Sequence, residues 1–465
     1  MEAVGTDAAD SGHPLEKHRW LRLALITISC SMCAGLDPGM CDFLELLVEA
    51  GVGSSKCTRI ESTCDKQHIF VSEAFTYAGT MSSIQLFFIG WIFDRLGGYV
   101  LSQVGAGILA VGFVILQVPL LGAQSGHDDH TCSWLIIAIT IADIGALMAM
   151  TSVWSTIWHF PDFQSVVAAC VQMVSSGMGI LPIIFSALMR AFGLSFSSMM
   201  LGWLILVVLA GICYRYTVPT IEEYRVQGAK VMGCMQQGAE NTTFGQAFWN
   251  ANLVVSQHWG MHALAILSVC MIMSFGSVFQ GLLGDLSEVL FGSTEAGETL
   301  ASTFLITSGI GGCIVVPLFA FASDYFNAGP TALLAGTVML SMLTSILLVQ
   351  TTWLAQVFTC VSVGVMNTLL LTYLMQYILA FAGQARLGSV MGLFTTYASL
   401  LSLFAQTGLY AWVSDLPSTS AEHLIMPLEV ASVASTYVLI AFGSYITMRG
   451  LPEKPVSLAG DKGKA

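Results

Sequence analysis

Apolar runs of about twenty residues or more recur along this chain, separated by short polar loops, and no other feature constrains its folding as strongly. A helix needs about 20 apolar residues to span the hydrocarbon core of a bilayer. In lipid a helix also satisfies every backbone polar group internally. The runs lie at roughly 20–48, 70–93, 99–122, 133–158, 165–189 and 196–216, then at 258–283, 298–322, 330–349, 353–380, 388–413 and 427–449. The expected fold class is an all-α membrane protein with twelve transmembrane helices, six on each side of a polar stretch.

Composition leads to the same solvent. The chain is 55% hydrophobic and 10% charged, with mean hydropathy +0.76. Soluble domains carry about a quarter charged residues. The lipid bilayer is therefore the expected main partner. Residues 1–19 are polar and mixed in charge, and read as a cytosolic tail rather than a cleaved signal. The expected division is then a bundle at 20–216, a cytosolic linker at 217–257, a second bundle at 258–449 and a cytosolic tail at 450–465. With both termini inside, twelve Lys/Arg fall on the cytosolic side and four outside: Lys56, Arg59, Lys66 and Arg190. That asymmetry follows the positive-inside rule. In the linker, Ile221, Val226 and Val231 alternate with Glu222, Glu223 and Arg225, predicting short amphipathic helices on the inner face.

Several function classes are excluded. The net charge is −13 with no clustered basic face, so no nucleic-acid partner is expected. No phosphate-binding G-x-x-x-x-G-K-[ST] loop or G-x-S-x-G elbow occurs, and the chain is not expected to be an enzyme or to carry a cofactor. Cys30 and Cys33 have C-x-x-C spacing but lie inside a span, where Cys packs as a small hydrophobe. His258 and His262 are spaced i, i+4 with no third ligand nearby, so no metal is expected. Cys57 and Cys64 share one extracytoplasmic loop and predict a disulfide in an oxidising compartment, with Cys132 as a competitor for either.

The second loop reads Gly90-Trp91-Ile92-Phe93-Asp94-Arg95-Leu96-Gly97-Gly98-Tyr99. This resembles the loop 2–3 signature of the major facilitator superfamily, although Gly98 and Tyr99 stand where that signature has two basic residues. Gly90 permits close helix approach and Gly97 a tight turn. Asp94 is suited to accept from a facing helix N-terminus, and Arg95 marks the inner side. A partial repeat, Ser323-Asp324-Tyr325-Phe326-Asn327-Ala328-Gly329, follows at half-chain spacing between the eighth and ninth spans. The loop 49–69 with its two Cys, then Phe75-Thr76, Phe248-Trp249, Phe381, Gly388 and Gly392, resembles the L-type amino-acid and nucleobase transporter branch and the related apicomplexan amino-acid transporters.

The resemblance implies two pseudo-symmetric six-helix bundles that rock about a central site, with Gly90, Asp94, Arg95, Gly97 and Asp324 in gating. It implies a monomeric secondary carrier, in the plasma membrane, for a small-molecule substrate. The substrate is expected to be an amino acid, with a nucleobase as alternative and a transport-dead receptor or scaffold as the rival class. Protons are the candidate coupling ion. Substrate would be held by spans 1, 4, 7 and 10, where ionisable groups at depth are costly and default to functional roles. Asp37 stands beside the Pro38-Gly39 break in span 1. Asp143 is the isolated charge of span 4, read as a substrate or proton carboxylate or as an interhelical bond, with Trp154 further along its face. Phe279 and Gln280 are placed deep in span 7, and Asn367, Thr368 and Tyr373 in span 10.

Overall fold

A computed structural model describes residues 18–33, 40–57, 65–125, 131, 133–178, 181–232, 242–292, 299–300, 303–304, 306–307, 309, 311–326, 330–415 and 421–450. Among these the elements are helices joined by short turns, with no strand. Eight helices are long and apolar enough to cross a membrane, and three shorter apolar helices accompany them. The first bundle contains α1 (Arg19–Met32), α2 (Met40–Glu49), α3 (Asp65–Ile84), α4 (Leu86–Ser125), α5 (Trp134–Ser152), α6 (Gln164–Met178), α7 (Leu181–Phe192) and α8 (Phe196–Thr217). The linker forms α9 (Ile221–Met232) and α10 (Phe244–Gln257). The second bundle contains α11 (Trp259–Phe291), α12 (Val316–Tyr325), α13 (Pro330–Leu348), α14 (Trp353–Ala382), α15 (Leu387–Asp415) and α16 (Ala421–Arg449).

Three of the predicted spans are interrupted. The predicted first span separates into α1 and α2, and the predicted fifth into α6 and α7, on either side of a Gly-rich segment. The predicted eighth, helical at its described residues from 299 onward, contains a π-turn, Gly311–Val315, directly before Pro317 at the start of α12. Proline has no N–H to donate, and its ring displaces the preceding turn. The widened turn packs on its neighbours: Cys313 Sγ lies 3.5 Å from the carbonyl of Met173 on α6.

The predicted boundary between spans 2 and 3 falls inside α4, where two helical halves meet at a non-helical residue, Gly97. Gly97 supplies the kink with φ 78° and ψ 172°, a left-handed backbone state that glycine adopts without strain. The chain thus turns within a few residues and keeps Asp94 close to the turn. The linker segment read as amphipathic is helical as α9, a second linker helix, α10, is not foreseen by that reading, and α10 carries a capping box between Thr243 and Gln246.

Candidate functional site

The site is assembled from the end of the molecule that carries the linker. Here α4 of the first bundle crosses α15 of the second at glycines. A Cβ on Gly90 would collide with the carbonyl of Gly388, and one on Gly388 would lie 2.9 Å from Asp94 Oδ1. Backbones therefore touch where side chains ordinarily separate helices, as small residues allow in membranes. That approach delivers Asp94, which is 6% exposed, to the N-terminus of α15. The amide of Gly388 donates to Oδ1 at 2.7 Å. The amide of Ser389 donates to Oδ2 at 2.7 Å and its hydroxyl to the same oxygen at 2.5 Å. The first amides of a helix have no intrahelical acceptor and carry the positive end of its dipole. A carboxylate satisfies both demands.

The same arrangement recurs on the other seam. Asp324, at the end of α12, accepts from the amides of Ser165 at 3.0 Å and Val166 at 3.2 Å at the start of α6. Each bundle thus contributes one carboxylate that caps a helix of the other. Arg95, placed with the gate by sequence, is exposed and stacks over the Trp91 ring at 5.6 Å. The cation beside Asp94 is Arg386, from the turn before α15. Burial pulls the Arg386 guanidinium below its ordinary value, and the Asp94 charge counters this.

The linker closes over this end. Arg22 of α1, 3% exposed, donates to both carboxylate oxygens of Glu223 on α9, one bond being 3.0 Å long. His159 Nε2 lies 3.1 Å from Glu223 Oε1. Burial alone would raise the Glu223 carboxyl, but the bonds from His159 and Arg22 outweigh it and hold the group at about 2. Next to it, Tyr224 is buried against Phe93 at 5.6 Å and Trp158 at 6.4 Å. Trp154 meets the edge of Phe93 at 6.1 Å. Trp158, 4% exposed, is covered by α9 through Tyr224. Helix α10 reaches both bundles: Phe244 and Phe248 pack on Phe87, and the Tyr397 hydroxyl donates to Asn252 Oδ1 at 2.7 Å.

The remaining sequence candidates lie in the bundle interiors. Asp143 is 4% exposed on α5. Phe279 is fully buried between Phe275 and Phe304, at 5.9 Å from each, and Gln280 beside it is half-buried. Thr368 donates to the carbonyl of Gly364 at 2.9 Å within α14. Tyr373 is fully buried and stacks on Tyr377 at 6.0 Å. Among the described residues the Tyr373 hydroxyl, Asn367 Oδ1 and Gln376 Nε2 are buried without a hydrogen-bond partner. His262, four residues after His258, meets the Tyr377 hydroxyl through Nδ1 at 2.8 Å. No metal-ligand cluster occurs among the described residues. Asp37 and Cys64 lie outside those residues. Cys57 is not one of the free cysteines, and its Sγ lies 4.0 Å from Gln67 Oε1. Sequence reasoning missed Ser389, Ser165 and the Arg22–Glu223–His159 cluster. Nothing in their local sequence marks them, because each partner comes from a distant segment.

An all-helical membrane chain of two bundles, joined at one end by reciprocal carboxylate caps, has the major facilitator fold. The solved structures that it resembles carry that fold along nearly their whole length. The proton:xylose symporter of the superfamily is 14% identical with TM-score 0.66, over 92% of this chain and 96% of that one. The E. coli fucose:proton symporter is 12% identical with TM-score 0.59, over 92% and 98%. The human organic anion transporter is 11% identical with TM-score 0.58, over 91% and 98%. No protein-family model matches the chain, and no curated protein matches it in sequence.

Proposed function

We propose that this chain is a secondary transporter of the major facilitator superfamily, moving a small polar solute across a membrane by alternating access. One observation carries the reading: two carboxylates, Asp94 and Asp324, each cap a helix of the opposite bundle at the same end. Bonds of this kind can be exchanged for water when the bundles rock apart, whereas a fused apolar seam resists opening. The bundle boundaries proposed are 20–216 and 258–449, with the linker as a strap between them. The positive-inside distribution supports a cytosolic linker end with both termini inside, and on that orientation the cytosolic side is the closed one. A monomer in the plasma membrane is the setting proposed, with protons as coupling ion and a Cys57–Cys64 bridge in the first outer loop.

An amino acid is the passenger we favour. Asp143 offers a buried carboxylate for an ammonium group, and Asp37 a second one beside a backbone break. Asn367, Thr368, Tyr373, Phe279 and Gln280 supply neutral hydrogen bonds and apolar walls, and Trp154 on Phe93 forms the inner floor. A nucleobase is the alternative. The unpartnered neutral groups of α14 also suit an uncharged sugar, the class that the fucose and xylose symporters carry. Uptake into vesicles containing the purified chain, competed with amino acids, nucleobases and sugars, separates these. Saturable flux competed by one class assigns the passenger. Flat uptake across all three leaves a transport-dead scaffold.

A further inference from the structure

One cavity lined by described residues lies away from the seam between the bundles. It occupies about 880 Å³ on the outer flank of α11 and α16, at the linker end. Its floor is one stripe of α11: Gly260, Ala263, Leu264 and Leu267, spaced i, i+3, i+4 and i+7. The two small residues hollow the stripe, and Ala263 and Leu267 face outward. On the proposed topology this stripe points into the hydrocarbon of the cytosolic leaflet. The rim is polar: Gln257, His258, Tyr445 and Arg449. Arg449 ends α16 and is exposed. The ion pairs among the described residues are those of Glu223 with Arg22 and His159, so Arg449 has no carboxylate partner there. Trp259, at the same rim, is 73% exposed. Tryptophan at the end of a span sits at headgroup depth.

We propose that this flank binds an anionic phospholipid of the adjoining leaflet. Arg449 takes the phosphate, with His258 and the Tyr445 hydroxyl as further donors, and one acyl chain lies in the hollow over Ala263. The charge fits the ligand: a lone guanidinium above an apolar slot complements a phosphate above a hydrocarbon chain, and guanidinium presents paired N–H groups to phosphate oxygens. Basic pockets beside spans on the inner face have this selectivity on electrostatic grounds. The inference uses the proposed membrane orientation but not the identity of the passenger.

Native mass spectrometry of the full chain in detergent, titrated with phosphatidylglycerol or phosphatidylcholine of matched chains, tests it. Phosphatidylglycerol should be retained about fivefold better, the effect of one basic residue near an anionic surface. Arg449→Gln should abolish that preference. Arg215→Gln, an equal loss of charge at an exposed site on α8, should leave it intact. Gly260→Leu should lower retention of both lipids by filling the slot. Equal loss in Arg449→Gln and Arg215→Gln, or no preference in the wild type, overturns the proposal. Displacement of the lipid by inorganic phosphate alone also overturns it, because the acyl slot would then contribute nothing.

Discussion

Asp94 and Ser389 lie 295 positions apart, yet the serine's amide and hydroxyl both donate to one oxygen of the aspartate. With the Gly388 amide, the carboxylate takes three donors from a helix belonging to the other bundle. No acceptor with fewer oxygens can do this. In Asp94→Asn one oxygen becomes an NH₂ group that faces amides and repels them. A hydrogen bond to a charged group contributes about 1.5–3 kcal/mol. The loss of one such bond and of the dipole term should weaken the closed end by about 2 kcal/mol or more, roughly 30-fold in population. Hydrogen–deuterium exchange reads this directly: the peptide containing Gly388 and Ser389 should exchange about 30-fold faster. Exchange at the wild-type rate would mean that the carboxylate does not hold this end.

The Asp324 cap should matter less. It receives two amides at 3.0 and 3.2 Å, longer than the 2.7 Å amide bonds of Asp94, and lies in a half-buried position. Asp324→Asn should raise exchange at Ser165 and Val166 by about tenfold, a change of about 1.4 kcal/mol. The two caps clamp one interface between the bundles, so the double variant should lose less than the sum of the two single losses. Strict additivity would show two independent local caps rather than one gate.

These relationships explain how far the sequence could be read. The spans were legible because lipid imposes a length and a polarity on each. The Gly90-to-Gly97 motif was legible because tight backbone approach permits few residue types. The partners of Asp94 and Asp324 were not, because any helix N-terminus offers the same amides and Ser389 and Ser165 are ordinary residues. The surroundings of Arg95 were not legible for a related reason. A basic residue beside the aspartate satisfies the positive-inside bias, but the fold turns it outward over Trp91 and leaves Arg386 near the carboxylate. The Glu223 cluster needed three segments brought together from positions 22, 159 and 223.

The glycine seam gives a steric prediction. In Gly90→Ala the added methyl meets the Gly388 backbone, which has no side chain to move aside. The bundles must separate at this end, so uptake should fall at least tenfold while the protein still elutes as a folded monodisperse species. Gly107 on the same helix is the control. A Cβ there meets nothing within 4 Å, and alanine is the better helix former by up to about 1 kcal/mol. Gly107→Ala should transport normally. Comparable uptake in both variants would remove the seam from the mechanism.

The linker dock should respond to acid through Glu223. Its carboxyl is held at about 2, below the ordinary 4.5, because Arg22 from α1 and His159 from the turn after α5 both face it. A group with a depressed folded value stabilises the fold fully above its unfolded value and loses that contribution as pH falls towards the folded one. Docking of α9 should therefore be firm above about pH 4.5 and weaken progressively towards pH 2. Pepsin cleavage within 221–232, normalised to an unstructured reference peptide, should accelerate across that window. In Glu223→Gln the carboxylate is gone and Arg22 is left buried without its counter-charge, a costly arrangement. Cleavage should then be faster throughout and flat with pH. Parallel pH slopes in the two proteins would show that some other carboxylate governs the strap.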